Sequence, residues 1–281
     1  MREMTIGTGL APEHGRREGL LNGQAIRVPT MTPKRAIVRR PGKSFTRCVS
    51  CHPMRDTVNL ARALEQHAEY RRALSELGLD VIELPVDDEH PDACFVEDNA
   101  VVHRGKAIIC RMALDSRRGE EADVEGVLRQ YVQVKRTEEP ATLEGGDVVH
   151  FDYRLISGIS QRTNRGGVQQ MRSWFRVKID TIADTTMMHL KSHLTHLGKN
   201  VCIVNRRYID NMALQGLILI PLPEEDAYAA DALSVGDTVL MAKGRPEAHR
   251  RVRHVGFDVI PLDTSEFEKC DGALTCLSIL F

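Results

Sequence analysis

Four short stretches hold side chains whose types could do chemistry. "CDGALTCLSILF" carries Cys276 near its end, "TTMMHLKSHLTHLG" carries His189, His193 and His196, "PDACFVEDN" crowds Asp92, Glu97 and Asp98 around Phe95 and Val96, and "LEGGDVV" sets Glu144 before two glycines. A thiolate is a strong nucleophile, an imidazole can give or take a proton near neutrality, and a carboxylate can fix the imidazole's tautomer. Cys276, His189 and Glu144 supply those three types, and a thiol and an imidazole far apart in sequence can meet in a fold. Taken singly each has a plainer reading: a free cysteine is usually a small buried hydrophobe, and acids beside glycines usually mark turns. Asp92, Glu97 and Asp98 are harder to dismiss, because packed carboxylates resist joint ionisation unless a cation compensates them. They predict a cationic ligand or a metal.

Two patterns raise metal binding. His189 and His193 stand four apart and could share a helix face, but residues 190 to 192 read Leu-Lys-Ser, without the glutamate of a metalloprotease helix. Cys48-x-x-Cys51 followed by His52 is half a zinc site, and no second pair at suitable spacing follows it. No metal and no cofactor are expected.

Composition narrows the partners. The chain has 281 residues, 42% hydrophobic and 27% charged, with Lys+Arg 38 against Asp+Glu 39 for a formal charge of -1. A balance this even gives no global field toward nucleic acid or a membrane surface, so a charged ligand must be met by a local site. No apolar run approaches the ~18 residues of a membrane span, and the start of the chain lacks a signal-like apolar core, which points to the cytoplasm. Seven cysteines, an odd count at irregular spacing, fit reduced thiols better than a disulfide scaffold.

These residues need elements to position them. Residues 1–33 are Gly-rich without sustained periodicity and are expected to form a flexible extension; Met31 stands just ahead of the strand-like "KRAIVRR". "DTVNLARALEQHAEYRRALSELG" has apolar residues at helical spacing with Gly78 as its cap, and "LDVIELP" follows as a short buried strand. "NAVVHRGKAIICRM" and "GGDVVHFDYRLISGIS" read as hairpins, "SRRGEEADVEGVLRQYV" and "TNRGGVQQMRSWF" as helices, and Cys276 falls in a last apolar strand. "LGLDVIELPVD" at 77–87 is echoed by "VGFDVIPLDTS" at 255–265, each after a helix and its glycine, as expected of repeated modules.

"FVEDN", "LEGGD", "GISQRTN", "HLKS" and "DGALTCLS", in this order, resemble the dimethylarginine dimethylaminohydrolases of the guanidine-modifying superfamily, over roughly residues 35 to 281. The resemblance implies a single catalytic domain over 34–281, a five-bladed pseudo-symmetric α/β propeller of ββαβ modules around a narrow polar channel. It implies a Cys276–His189–Glu144 site acting on a small guanidine compound, with Asp92 and Asp98 meeting the guanidinium, Glu97 lining the pocket, and Arg117 and Arg162 meeting the amino-acid carboxylate. It places "RCVSCHP" in a mobile loop over the site, as a lid near Val49, and leaves room for a homodimer. Leu280 stands where that family often has an arginine. The activity implied is hydrolysis of asymmetric dimethylarginine and monomethylarginine to citrulline. An arginine deiminase is the near alternative, although those enzymes usually carry an inserted helical domain for which this chain has no room. A non-catalytic binder of cationic amino acids would not need the thiol and the imidazole.

Overall fold

A computed structural model describes residues 33–281. The flexible extension expected over residues 1–33 lies, apart from Pro33, outside the described residues.

The alternating apolar runs become five three-stranded sheets. The chain enters the first as β1 (Arg35–Val38), crosses over in α1 (Leu60–Glu76) and returns as β2 (Asp80–Glu83), parallel to β1. The second sheet is built from β3 (Ala100–His103), β4 (Lys106–Ile109), α2 (Glu121–Leu128) and β5 (Gln133–Arg136). The third uses β6 (Val148–His150), β7 (Arg154–Ile159), α3 (Arg165–Phe175) and β8 (Lys178–Ala183). In the fourth come β9 (Leu194–Gly198), β10 (Val201–Asn205) and β11 (Ile218–Leu222), and in the fifth β12 (Leu233–Val235), β13 (Thr238–Ala242), α4 (Pro246–His254) and β14 (Asp258–Leu262). After the short α5 (Ser265–Glu268), β15 (Ile279–Leu280) pairs antiparallel with β1, so the chain's last strand completes its first sheet. Every sheet has one antiparallel strand, a central strand and a parallel outer strand, the arrangement of a five-bladed α/β propeller.

The central strands read as continuous apolar runs because both of their faces are buried. Val201 and Ile203 of β10 pack toward β13, whereas Cys202 and Val204 pack toward the third blade; Val239 and Met241 of β13 face β10, and Leu240 faces the first blade. The period-2 alternation of a strand thus divides its residues between two neighbours. Five apolar clusters result, each lying between adjacent blades around the ring. The axis is left to polar groups.

Local signals act as read at several places. The side chains of Asn59 and Asn164 accept hydrogen bonds from the amides of Arg62 and Gly167, capping α1 and α3. Gly78 and Gly256 take positive φ values of 86° and 93°, so the two echoed segments turn alike into β2 and β14, equivalent strands of the first and fifth blades. Other expectations need correcting. β2 is an outer edge strand with Asp80 and Glu83 exposed, so "LDVIELP" is not a buried strand. The fourth crossover has no α-helix: Asn205 and Asn211 accept bonds from Arg207 N and Ala213 N, and these side-chain caps set two short 3-10 turns, Arg206–Tyr208 and Met212–Leu214. Cys276 stands in a 3-10 turn, Thr275–Leu277, ahead of β15 rather than in a strand. His189 and His193 share no helix face, because they flank the single turn Leu190–Ser192. Leu280, opposite Ala36, packs against the apolar cluster between the first and fifth blades.

The cysteines are not all reduced. Cys48 and Cys270 form a disulfide across 222 residues of sequence, with Cα atoms 5.8 Å apart, while Cys51, Cys94, Cys110, Cys202 and Cys276 are free. No local spacing could reveal a pair so far apart, and the bond takes Cys48 out of the zinc half-site read from the sequence. Among the described residues no helix is long and apolar enough to cross a membrane. Since the bond closes a very long loop, its loss should lower unfolding stability by about 2–5 kcal/mol. Chemical denaturation of Cys48→Ser beside the parent protein checks this; coincident midpoints with and without reductant would show that the bond contributes nothing.

Candidate active site

Short segments deliver the polar groups of the axis just ahead of the antiparallel strand of each blade. Glu97 and Asp98 lie in the turn Val96–Asn99 before β3, and Glu144 and Asp147 bracket the glycines before β6. His189 and Lys191 come before β9, Asp231 before β12, and Cys276 before β15. One element from every blade therefore contributes. The glycines of "LEGGD" are dictated by this crowding: a Cβ on Gly145 would lie 2.0 Å from the carbonyl oxygen of Glu97, and one on Gly146 would lie 2.8 Å from Asp98 Oδ1 and 2.9 Å from His189 Nδ1.

His189 and its partners form the inner network. His189 Nε2 lies 2.8 Å from Glu144 Oε2 and 3.5 Å from Asp98 Oδ1, with all three residues buried. Glu144 Oε1 accepts from Ala113 N at 3.0 Å, and Asp98 Oδ1 accepts from Gly146 N at 3.0 Å. Burial alone would lower the imidazole's pKa, but the charge of Asp98 and the bond to Glu144 overcome it and raise His189 to about 9. The same pairing works in reverse on Asp98, which burial would raise but His189 and Arg117 pull down to about 2. His189 is thus an imidazolium at neutral pH, a proton donor in waiting. Asp147 holds the backbone beside it, accepting from Leu190 N at 3.0 Å and from Ser160 Oγ at 2.7 Å.

Arg117 is drawn into this network. Its Nη1 donates to Asp98 Oδ2 at 2.8 Å, its Nε and Nη2 donate to the two oxygens of Glu120 at 3.0 and 2.9 Å, and Nη2 also reaches the carbonyls of Asp92 and Phe95. It is only 5% exposed. The fork that the resemblance assigns to a substrate carboxylate is therefore occupied by protein acceptors. Arg162 differs: it is partly exposed, and its buried Nη1 has no hydrogen-bond partner among the described residues.

The thiol sits in acidic surroundings. Burial, then the charges of Asp231, Glu97 and Asp98, push the Cys276 thiol well above its ordinary pKa. Glu97 is raised by burial despite accepting from Lys191 Nζ at 2.5 Å and Thr275 Oγ1 at 2.8 Å, and Asp92 is raised by burial despite the nearby charge of Arg117. The three acids of "PDACFVEDN" thus differ in titration, as crowding requires: Asp98 stays ionised, and Asp92 and Glu97 hold protons more tightly.

Above Asp92 runs the segment read as a lid. Val49, 44% exposed, donates its amide to Asp92 Oδ1 and Oδ2 at 3.2 and 3.3 Å. Ser50 Oγ donates to Lys269 O at 3.0 Å and Cys51 N to Asp271 Oδ2 at 3.0 Å, so together with the Cys48–Cys270 bond the segment is tied to the stretch leading to Cys276.

Asp98, Glu144 and His189 each bring a potential metal ligand atom within 4.8 Å of the others. The donor set does not suit a divalent ion, because Arg117 Nη1 stands 2.8 Å from Asp98 and 4.0 Å from Glu144 and the histidine carries a proton. Lys191, Asp147, Glu120 and Asp231 were missed in the sequence. Asp231 had a signal: like Asp98, it stands two residues before its blade's antiparallel strand.

Two outcomes follow. Replacing Glu144 by Gln removes the carboxylate bonded to Nε2, so the imidazole should titrate about one pH unit or more lower; its Cε1–Hε1 resonance followed against pH reads the midpoint directly, and an unmoved midpoint would refute the pairing. A thiol held well above its ordinary pKa should also react slowly with a neutral alkylating reagent at neutral pH in the free protein. Rapid alkylation of Cys276 without ligand would contradict the electrostatics described.

Residues 50–229 match the family model described as N,N dimethylarginine dimethylhydrolase, eukaryotic. An N(G),N(G)-dimethylarginine dimethylaminohydrolase of Pseudomonas aeruginosa is 33% identical over 253 residues, covering 88% of this chain and 99% of that protein. Its counterpart in Streptomyces coelicolor is 36% identical, covering 89% and 97%. Among solved structures, a dimethylarginine dimethylaminohydrolase carrying an S-methyl-L-thiocitrulline adduct superposes with a TM-score of 0.86 at 32% identity, over 89% of this chain and all of that one. A cysteine-to-serine variant of the Pseudomonas aeruginosa enzyme in complex with citrulline gives the same TM-score and coverage. The amino-terminal domain of the cyanobacterial arginine dihydrolase ArgZ, at 20% identity and a TM-score of 0.78, shares the fold. The chain belongs to the dimethylarginine dimethylaminohydrolase family.

Proposed function

We propose that the protein is a cysteine-dependent hydrolase converting asymmetric dimethylarginine and monomethylarginine to citrulline and dimethylamine or methylamine. The observation that carries this reading is a buried thiol suppressed by carboxylates in a site where the imidazole is already charged. A cationic ligand would offset those carboxylates and favour the thiolate.

A guanidinium carbon is a poor electrophile, since its charge is spread over three nitrogens, and the site must hold it planar while a soft nucleophile attacks. In this reading Asp98 and Asp92 receive the guanidinium with Glu97 lining the same pocket, and Arg162, with a buried donor unpartnered, takes the amino-acid carboxylate. Arg117 contributes by holding Asp98 ionised. The Cys276 thiolate adds to the guanidinium carbon, imidazolium His189 protonates the departing amine, and a thiouronium remains on Cys276. Neutral His189, oriented by Glu144, then deprotonates a water that attacks the same carbon, and expulsion of the thiolate with release of the remaining hydroxyl proton to solvent yields citrulline. The relatives named for this reaction, and the citrulline and thiocitrulline complexes of one of them, support the substrate class. We assign the reaction to residues 34–281 and the protein to the cytoplasm; a homodimer is compatible with this reading.

Incubation with asymmetric dimethylarginine, monomethylarginine and arginine separately, with citrulline measured by mass spectrometry beside Cys276→Ser, tests the proposal. Citrulline from the methylated substrates, absent in the variant, is the expected result. Citrulline from arginine alone would make the protein a compact deiminase, and citrulline from Cys276→Ser would remove the thiol from the mechanism.

A further inference from the structure

Asp231 is the one carboxylate touching the nucleophile that the reaction above does not use. It is 3% exposed, it forms no ion pair among the described residues, and it is fixed by a bond from Thr275 N to Oδ1 at 3.1 Å. That leaves Oδ2 directed at Cys276 Sγ, 4.0 Å away, the outer reach of an S–H···O contact. The other ionisable groups around it are Glu97 from the turn before β3, Lys191 from the turn before β9, Tyr70 of α1, Tyr228 of the segment before β12, and Cys276 itself. Burial and then the charge of Glu97 raise Asp231 to about 7. A group so poised can hold or release a proton at neutral pH, unlike Asp98.

We propose that Asp231 is the acceptor of the Cys276 thiol proton, so that the nucleophile is generated inside the site when a guanidinium arrives. This rests on the reading that Cys276 attacks the substrate. In the free protein the pair shares one proton, kept on sulfur, and the carboxylate suppresses the thiolate. The bound cation favours negative charge on the sulfur facing it. The S–H bond then breaks with its electron pair remaining on sulfur, the proton bonds to Oδ2, and the pair's total charge of one negative unit is unchanged. The thiolate electrons form the S–C bond; when the thiolate is expelled at the end of the cycle, the proton returns from Oδ2 to sulfur. His189 is spared this task and keeps its proton for the amine, consistent with its being an imidazolium before substrate binds.

Two readouts move in opposite directions under this proposal, which a merely structural role would not produce. Asp231→Asn keeps an Oδ1 acceptor for Thr275 N but cannot take a proton. In the free variant, loss of the carboxylate's charge should speed alkylation of Cys276 by iodoacetamide. With asymmetric dimethylarginine, kcat/KM at neutral pH should fall by about 10²-fold and recover as pH rises, because the thiol proton must leave by solvent. An unchanged pH profile would overturn the proposal, as would a kcat/KM that rises together with the alkylation rate, since Asp231 would then only suppress the thiolate. Should Asp231→Asn not fold by circular dichroism, Asp231→Glu carries the test: activity at neutral pH within about tenfold of the parent supports a carboxyl acceptor, and loss at every pH overturns it. Cys276→Ser is run alongside. Citrulline from that control would sink the thiol mechanism itself, whereas its inactivity leaves any failure to fall on Asp231 alone.

Discussion

An imidazolium buried between Glu144 and Asp98 is the interaction on which the site's other charges depend. Removing a charge from water costs several kcal/mol unless neighbours compensate it, and here three charged residues compensate one another within hydrogen-bond reach. Asp98 must stay ionised to hold the proton on His189, and Arg117 helps keep it so from the other side. The remaining carboxylates, lacking equal compensation, are pushed toward their protonated forms. A bound cation would favour their ionised forms.

The propeller explains how such a cluster can exist in a stable protein. Each central strand places its alternate residues in the two clusters beside its blade, so the apolar surface is satisfied around the ring and none is needed on the axis. Every blade then sends the segment before its antiparallel strand inward, and five such segments meet at close quarters. The price is steric: Gly145 and Gly146 leave space that any side chain would fill. Pairing of β15 with β1 and the Cys48–Cys270 bond fix the nucleophile's segment from both flanks.

Much of this was legible in the residues, and the failures have physical causes. Hairpins and capped helices were readable because their signals are local: Asn164 caps α3, and glycines at positive φ end α1 and α4. The motifs "FVEDN", "LEGGD" and "DGALTCLS" carried the identity of the site, since crowding around the axis dictates their glycines and acids. The Cys48–Cys270 pair was invisible because a contact across 222 residues leaves no spacing pattern. Asp231 was missed because "DALSV" lacks a companion motif, and its role depends on a sulfur from another blade. Arg117 was expected at an open rim, but whether a guanidinium faces substrate or protein depends on three-dimensional neighbours such as Glu120.

The central claim is that Cys276 becomes covalently attached to the substrate carbon while His189 serves both proton transfers. Acid quenching of the parent protein during turnover of asymmetric dimethylarginine should trap the adduct, whereas His189→Ala, without the acid that releases the amine, should form none. Intact-protein mass spectrometry should show a gain equal to the substrate less dimethylamine, mapped by peptide fragmentation to Cys276. Citrulline formation by the parent protein with no adduct trapped on Cys276 would contradict the account.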